Sequence, residues 1–390
     1  MNDIRKIRPA YAEINLDNLI HNIKEIRRLS GTEAQVMAVI KADGYGHGST
    51  KIAQVLLDNG ADALAVAVLD EAIELRQAGI KAPTFVLGYT QPERSEEVVK
   101  YDLEQSVFSL ESAKSLSEAA IAQEKTVLVH IKIDTGMGRV GLQVDHNAVE
   151  IIKEIYNLPN LRIKGIFTHF ATADEVNKNY TQMQFDKFNW ICTKLEEQGI
   201  KIEIKHCGNS ATIIDLPDMH LNMVRAGIMM YGLAPSEDVL LNKIELKQVM
   251  SLKVRITHVK QIEAGQSVSY GRRFIADEKR TIASLPIGYA DGYTRLLTGK
   301  AEALVKGQRV PVVGSICMDQ CMIDVTGVDG VKVGDEVVLF GHQEDGYISI
   351  DEIAKKLGTI NYEIVCMISR RVPRVYVSNG EIVEVLNYLY

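Results

Sequence analysis

Basic and hydroxyl side chains directly follow several short apolar segments of the sequence. Lys41 ends one such segment and precedes the loop ADGYGHG, which contains three glycines. Glycines let backbone approach a ligand closely, and a lysine desolvated there has a lowered pKa and can act as nucleophile, base or imine former. Because a lysine at a strand end is more commonly a surface residue that extends to solvent, Lys41 alone does not indicate a site.

Other candidate groups have the chemistry needed to hold a phosphate. CGNSATIID is a short loop that opens a helix, with Ser210 near its start. Ser210 could be a plain N-cap, or the helix start could bind phosphate through its backbone N–H groups. The nearby Gly227 would allow further N–H groups to approach.

Two more basic residues belong to the same set. Taken alone, His169 is more readily explained as a core histidine, whereas Arg225 inside an apolar segment needs a partner if it is buried. A lysine, a helix-start phosphate site, a histidine and arginines together indicate a phosphorylated cofactor that forms an imine. Pyridoxal phosphate is the obvious candidate.

The elements that must position these residues alternate between strand and helix patterns from about residue 35 to 235. Eight β/α units predict an α/β fold, a (β/α)8 TIM-like barrel. A doubly wound open sheet is the alternative, which the count of eight and the lack of a GxGxxG after the first strand disfavour. The predicted strands are 35–40, 63–68, 84–88, 105–110, 126–133, 163–169, 202–206 and 223–232.

In such a barrel the loops at the carboxyl ends of the strands meet on one face. Candidate residues that are distant in sequence should therefore come together there.

The pattern changes after about residue 240. Short strands separated by glycine turns predict a C-terminal, mainly antiparallel β domain, in which only DEIAKKLG has a clear helical pattern. The predicted domains are a barrel over 1–240 that binds the cofactor and a β domain over 241–390. A strand at 12–16 precedes the barrel units and is a candidate partner for the second domain.

Composition excludes several classes of function. The 390 residues carry a net charge of -7, which disfavours nucleic acid as a partner. The N-terminus has no apolar segment typical of a secretory signal, and no apolar run is long enough for a membrane span. Five scattered cysteines favour reduced thiols in the cytoplasm, and Cys317 and Cys321 lack the additional ligands of a zinc site. No metal is expected.

Nine motifs, in order and spread over essentially the whole chain, resemble the alanine racemase family, which comprises bacterial pyridoxal-phosphate enzymes built on a barrel. No core motif of that family is missing. The motifs are AVIKADGYGHG, HIKIDTGMGRVG, GIFTHFATADE, HCGNSATII, MVRAGIMMYGLAP, VSYGRRF, LPIGYADGY, GSICMDQCMIDVT and TINYEIVCMISRRVPR.

The resemblance implies two acid/base groups on opposite faces of the substrate. Lys41 would hold the cofactor and act as base on one face, and Tyr270 would act on the other face from the second subunit of a homodimer. An arginine, Arg225, against the pyridine nitrogen would disfavour its protonation and so weaken the electron sink. The implied cofactor-binding residues are Lys41, Tyr45, His169, Asn209, Ser210, Arg225, Gly227, Ile228 and Tyr362.

The resemblance also implies a substrate site for L- and D-alanine. Arg139 would contact the substrate carboxylate, Lys132 matches a lysine that is carbamylated in many members, and Tyr289 would lie near the entrance. The loop Cys317, Met318 and Asp319 would come from the partner subunit. The implied role is supply of D-alanine for peptidoglycan in the bacterial cytoplasm.

Other readings remain open at this point. Cofactor-binding barrels of low turnover lack the C-terminal β domain and a counterpart of Tyr270, and this sequence has both. Decarboxylases of basic amino acids share the two-domain layout but place a glutamate near the pyridine nitrogen. Racemisation of serine or of several amino acids depends on pocket volume.

Overall fold

The computed structural model describes residues 6–389, which fall into two compact units. We call Leu19–Gly44 and Ser49–Lys247 the barrel unit. The antiparallel unit comprises the described residues up to Asn18, Tyr45–Gly48, and those from Gln248 onwards. The first strand, which the sequence offered as a candidate partner for the second domain, and the segment Tyr45–Gly48 belong to the same unit as the later residues.

The barrel unit contains eight parallel strands in the order β10-β2-β3-β4-β5-β6-β8-β9. Between β9 and β10 the Arg225 N–H donates to the Gly208 carbonyl at 3.0 Å, which nearly closes the barrel. The predicted TIM-like fold is therefore confirmed. The strands are β2 (Gln35–Val39), β3 (Ala63–Val66), β4 (Thr84–Val86), β5 (Glu104–Val107), β6 (Val127–Asp134), β7 (Leu142–Gln143, paired with β6), β8 (Leu161–Phe167), β9 (Ile204–His206) and β10 (Met223–Ala226), after β1 (Ala10–Asn15).

The last predicted barrel strand is shorter than expected. It ends at Ala226, because the chain leaves the extended conformation at Gly227 (φ −115°, ψ −115°) and forms the 3-10 turn Ile228–Tyr231. The apolar run that suggested a strand up to residue 232 is instead buried in this turn.

Helices follow most barrel strands, and polar residues cap several of their N-termini. Ser109, Asp145 and Asn209 each accept an N–H bond from the first turn of the helix that follows. The helices are α1 (Leu16–Ser30), α2 (Ser49–Asp58), α3 (Leu69–Gln77), α4 (Ser95–Lys100), α5 (Leu110–Ala122), α6 (His146–Tyr156), α7 (Asn179–Glu197) and α8 (Ser210–Asp215). No helix within residues 6–389 is long and apolar enough to cross a membrane.

A left-handed turn, Lys41–Tyr45, follows β2 where the sequence predicted only a permissive loop. Ala42, Asp43, Gly44 and Tyr45 have φ values of 52°, 55°, 62° and 53°. Consecutive residues rarely adopt this conformation, because the Cβ of an L-residue then approaches the following carbonyl oxygen. The residues that follow the turn, up to Gly48, belong to the antiparallel unit.

The antiparallel unit is built on a sheet in the order β12-β15-β18-β17-β16-β19-β11-β1-β21-β22. Strand β1 starts at Ala10, two residues before the predicted strand, and pairs antiparallel with β11 and parallel with β21. The elements are β11 (Met250–Arg255), β12 (His258–Ile262), β13 (Ser267–Val268), β14 (Phe274–Ile275), β15 (Arg280–Leu285), β16 (Glu302–Val305), β17 (Gln308–Val313), β18 (Cys321–Asp324), β19 (Glu336–Gln343), β20 (Gly346–Ile348), α9 (Ile350–Leu357), α10 (Asn361–Cys366), β21 (Arg374–Ser378) and β22 (Glu381–Leu386).

Candidate active site

Residues from four separate motifs lie at the carboxyl ends of the barrel strands. Lys41 comes two residues after β2, and His169 comes two residues after β8. Arg225 lies in β10 opposite Met37 of β2, and Ser210 begins α8 after β9. The closure of the barrel brings these sequence-distant groups to one face.

Arg225 is buried, and its guanidinium makes five hydrogen bonds. Nη1 donates to the His206 carbonyl at 3.1 Å and to His206 Nδ1 at 3.0 Å. Nη2 donates to the carbonyls of Thr168 (2.8 Å) and Cys207 (3.1 Å) and to His169 Nδ1 (3.2 Å). Burial lowers the pKa of Arg225 to about 10, which leaves the group charged at neutral pH.

The positive charge of Arg225 acts on two neighbouring basic groups. Burial, followed by Arg225 and Arg139, holds the pKa of Lys132 well below its usual range. Burial and then Arg225 likewise hold the pKa of His169 well below its usual range, with Lys132, Arg139 and Lys41 adding to the effect. Burial and the surrounding cations therefore shift both groups towards the neutral form.

The residues expected to hold a phosphate also come together. The Gly227 N–H donates to Ser210 Oγ at 3.1 Å, and the Asn209 side chain accepts from Thr212 N at 3.1 Å as the cap of α8. Ile228 begins the 3-10 turn beside Gly227. The first N–H groups of a helical turn have no carbonyl partner within the turn. The start of α8 at Ser210 and the start of the 3-10 turn at Ile228 lie next to each other, since the Gly227 N–H donates to Ser210.

The loop after β6 presents Arg139 to solvent. Asp134 Oδ1 accepts from the N–H groups of Gly136 and Gly138, both at 3.0 Å, and this fixes the turn that precedes Arg139. Arg139 is exposed, whereas Lys132, in the strand, is buried.

Tyr270 lies in a tight loop of the antiparallel unit. Ser269 and Gly271 on either side of it have φ values of 65° and 73°. Ser315 Oγ donates to the Tyr270 carbonyl at 2.9 Å, and Ser269 Oγ donates to the Ser315 carbonyl at 2.6 Å. The backbone is thus held by two hydroxyl groups, while the Tyr270 side chain is 71% exposed.

The loop Cys317–Asp319 lies in the same unit and is fixed at both ends. The Tyr289 N–H donates to the Cys317 carbonyl at 3.0 Å, and Arg371 Nη2 donates to Asp319 Oδ1 at 2.7 Å. Met318 between them is 53% exposed, and Tyr289 is 39% exposed. Two large side chains with apolar surface are therefore held at the surface of this unit.

Tyr45 and Tyr362 also lie together in the antiparallel unit, with their ring centroids 6.2 Å apart. Tyr362 belongs to α10, a six-residue helix that the sequence analysis did not predict. Gly46, directly after Tyr45, has φ +82°, and a Cβ there would overlap the Val365 carbonyl oxygen of the same helix. The packing of the segment after the left-handed turn against α10 thus requires glycine.

The sequence analysis missed His206, His130 and Glu104 of the barrel interior. All three are buried and linked to Arg225 through hydrogen bonds. His130 lies in the largely apolar strand VLVHIKID, so a polar residue inside a buried strand was the available signal there. Glu104 begins EQSV and His206 ends IKH, and these short strands offer no such apolar context. Among residues 6–389, no group of histidine, cysteine, aspartate and glutamate side chains is arranged to hold a metal ion.

Comparisons with known proteins agree with the fold. The family model of the alanine racemase N-terminal domain matches residues 14–235, and that of the C-terminal domain matches residues 249–376. The match of both models defines the class: a two-domain enzyme with a barrel followed by a β domain.

Individual relatives lead to the same family. Alanine racemase 1 of Clostridium acetobutylicum is 50% identical and covers 99% of this chain and 100% of its own. Alanine racemase of Clostridium novyi is 51% identical, with the same coverage. The structure of alanine racemase from Clostridium difficile 630 superposes with a TM-score of 0.96 at 48% identity and covers 99% of this chain and 100% of its own.

The chain therefore belongs to the alanine racemase family. The activity is that of an isomerase, the interconversion of L-alanine and D-alanine.

Proposed function

We propose that the chain catalyses this racemisation with pyridoxal 5′-phosphate held at the mouth of the barrel unit. The residues fit the cofactor chemically: Lys41 offers an amine for its aldehyde, and Ser210, Gly227 and Ile228 lie where N–H and hydroxyl groups can meet a phosphate. The proposed binding set also includes His169, Arg225, Asn209, Tyr45 and Tyr362. The cofactor would supply an electron sink for the carbanion formed at the substrate Cα.

The observation that carries this proposal is the position of Arg225 beside His169, on the same face as Lys41. Arg225 has no freedom to act as a mobile surface charge, because five acceptors fix its guanidinium. A fixed cation against a pyridine nitrogen would disfavour protonation of that nitrogen. The residue Arg225 would in this way weaken the electron sink that the cofactor supplies and would suppress transamination.

Two acid/base groups must act from opposite faces, because racemisation removes the Cα proton from one face and returns a proton on the other. We assign one role to Lys41 and the other to Tyr270. Tyr270 and the Cys317–Asp319 loop would come from the second subunit of a homodimer. The exposure of Tyr270 and Met318 in the single chain supports this arrangement, since a partner would cover them.

Arg139 and Lys132 would organise the substrate carboxylate. Addition of the neutral Lys132 amine to carbon dioxide, with loss of one proton, would form a carbamate anion. That anion would lie near Arg225 and Arg139, whose charges add to burial in lowering the pKa of the amine, and would thereby position Arg139. Tyr289 would lie at the entrance for substrate.

The product D-alanine would supply peptidoglycan synthesis in the bacterial cytoplasm. Serine remains a candidate second substrate, because preference among small amino acids depends on the volume left beside the Cys317–Asp319 loop in the assembled site.

Incubation of the purified protein with L-alanine in D2O tests the proposal when the chirality and the Cα deuterium of the recovered amino acid are read together. We expect deuterium in both enantiomers and accumulation of D-alanine, because both faces then exchange protons. Deuterium in L-alanine alone would mean that one face is inactive and would place the fault with Tyr270 or the dimer. No exchange despite bound cofactor would reject the proposed function for alanine.

A further inference from the structure

A continuous line of hydrogen bonds crosses the interior of the barrel unit from Arg225 to Glu104. Arg225 Nη1 lies 3.0 Å from His206 Nδ1, His206 Nε2 lies 2.9 Å from His130 Nδ1, and His130 Nε2 lies 2.9 Å from Glu104 Oε2. Lys164 Nζ donates to the other Glu104 oxygen at 2.5 Å. Glu104 is the first residue of β5, so the line begins at the opposite end of the barrel from the candidate active site.

The direction of the protons along this line follows from one chemical fact, that a guanidinium only donates. His206 Nδ1 must therefore accept from Arg225, which places the His206 proton on Nε2. His130 Nδ1 must then accept from that proton, so the His130 proton also lies on Nε2. Glu104 is the terminal acceptor, and a carboxylate is suited to the role because it only accepts.

Packing holds both imidazole rings in this orientation. The His206 ring is stacked on Phe167, with centroids 4.9 Å apart and planes 9° apart, and the His130 ring lies 4.4 Å from Phe85. A Cβ at Gly165 would overlap His130 Nδ1, so this glycine gives the ring its space. The rings cannot turn over to exchange their nitrogens without disturbing the barrel interior.

The charged groups of Arg225 and Glu104 are therefore linked by hydrogen bonds through the two neutral rings of His206 and His130. Burial and the neighbouring cations hold the pKa of His206 well below its usual range, and the pKa of His130 is also lowered, first by burial. The pKa of Glu104 is lowered, since burial would raise it but the bonds from His130 and Lys164 outweigh burial. The carboxylate thus stays ionised and keeps accepting at neutral pH.

We propose that Glu104 is a positioning residue for the racemisation. By accepting from His130, its carboxylate keeps the protons of His130 and His206 on Nε2, so that the lone pair of His206 Nδ1 faces Arg225. This lone pair helps to fix the guanidinium that faces the cofactor ring. This inference rests on the proposed placement of Arg225 at the pyridine nitrogen. If the terminal acceptor were lost, the protons could shift to Nδ1 of both rings. His206 would then present an N–H to a guanidinium N–H, and Arg225 would lose that contact.

With this acceptor lost, Arg225 would be held less firmly and would disfavour protonation of the pyridine nitrogen less. The resulting stronger sink favours transamination, in which the amino group of alanine passes to the cofactor and pyruvate is released. The ratio of pyruvate formed to D-alanine formed is therefore a readout that a purely structural role of Glu104 would not change.

The first experiment determines by NMR which ring nitrogen of each histidine carries the proton, in the wild-type holoenzyme labelled with 15N-histidine. We expect His130 and His206 each to carry the proton on Nε2, with a coupling across the His206 Nε2–H to His130 Nδ1 bond. A proton on Nδ1 of either ring would overturn the proposal. This measurement needs no variant and no turnover.

The second experiment compares Glu104→Gln with Lys164→Arg. Because the Lys164 ammonium only donates, it would donate to the amide oxygen of the introduced Gln. The NH2 group would then face His130 and donate to it, which reverses the direction of the hydrogen bond between the two rings. We expect Nδ1–H tautomers in E104Q and about a tenfold higher pyruvate-to-D-alanine ratio, the size of one lost hydrogen bond. Lys164→Arg disturbs the same place but keeps donors and charge, so both readouts should match the wild type.

Wild-type tautomers in E104Q, or shifted tautomers with an unchanged ratio, would contradict the proposal. If E104Q does not fold, the wild-type spectrum still decides the direction of the line. Failure of the proposed function is distinguishable, because the wild-type protein would then exchange no Cα proton of alanine in D2O while its histidine spectrum could still be read.

Discussion

At the scale of single residues, Arg225 and Lys132 lie beside the same aromatic ring but respond differently to burial. Lys132 Nζ is 4.5 Å and Arg225 Cζ is 5.5 Å from the centroid of Phe167. A guanidinium starts from so high a pKa that it stays charged even when burial lowers that pKa to about 10. The amine of Lys132 gives up its proton more readily, so the pair offers one fixed cation and one group able to react.

Tyr270 allows a direct test of the two-base proposal. Tyr270→Phe removes the phenol, and we expect racemisation to fall by about 100-fold or more, the size of a general acid/base contribution. Tyr289→Phe removes a phenol from the neighbouring loop and serves as the matched control, with a much smaller expected loss. Chiral chromatography of alanine in D2O makes the measurement. Equal losses in the two variants would contradict the assignment of Tyr270 as a base.

At the scale of elements, the left-handed turn fixes the backbone between Lys41 and Tyr45. The Ala42 N–H donates to Glu71 Oε1 at 2.5 Å, and Glu71 Oε2 accepts from Ala67 N at 2.7 Å, so one carboxylate of α3 ties the turn to the loop after β3. Asp43 Oδ1 accepts from Ser49 N at 3.0 Å at the start of α2. Local side-chain bonds thus compensate for the strained backbone directly after Lys41.

Gly46→Ala tests the close approach that follows this turn. The added Cβ would meet the Val365 carbonyl in addition to the cost of positive φ, and we expect a loss of about 3 kcal/mol in the free energy of unfolding. Gly358, the C-terminal cap of α9 in the same unit, has φ +72° and open space around its Cβ position. Gly358→Ala should cost about 1 kcal/mol. Similar losses in urea unfolding would contradict the close-approach argument.

At the scale of the whole molecule, the two proposed acid/base groups belong to different units. The barrel unit holds Lys41, Lys132, His169 and Arg225, whereas the antiparallel unit holds Tyr270 and the Cys317–Asp319 loop. In an isologous dimer each site can take Lys41 from one subunit and Tyr270 from the other. Such sharing would make catalysis dependent on assembly.

Mixing two inactive variants tests this sharing. Lys41→Ala and Tyr270→Phe homodimers should each have little activity. After subunit exchange, half of the dimers are mixed and each mixed dimer holds one intact site of two, so we expect about a quarter of the wild-type activity. If Lys41 and Tyr270 of one site came from the same chain, mixing would restore no activity.

Part of this organisation could be predicted from the sequence, because it depends on local pattern. The alternation of apolar strands with amphipathic helices specifies the eight-stranded barrel, since each pattern repeats within a few residues. The same rule placed Lys41, His169, Ser210 and Arg225 on one face, because the carboxyl ends of barrel strands converge. The residue types also indicated a phosphorylated cofactor that forms an imine, and this stays a prediction.

Other features were decided only by the tertiary structure, because they depend on contacts between residues far apart in the chain. Strand β1 lies between β11 and β21, more than 200 residues away, and nothing in its own sequence specifies those partners. The left-handed turn is held by the bond from the Ala42 N–H to Glu71, and helix α10 packs against Gly46 of the segment that follows the turn. Local propensity specifies neither contact. The direction of the line from Arg225 to Glu104 exists only once four strands have met, since each proton is placed by the partner that the fold supplies.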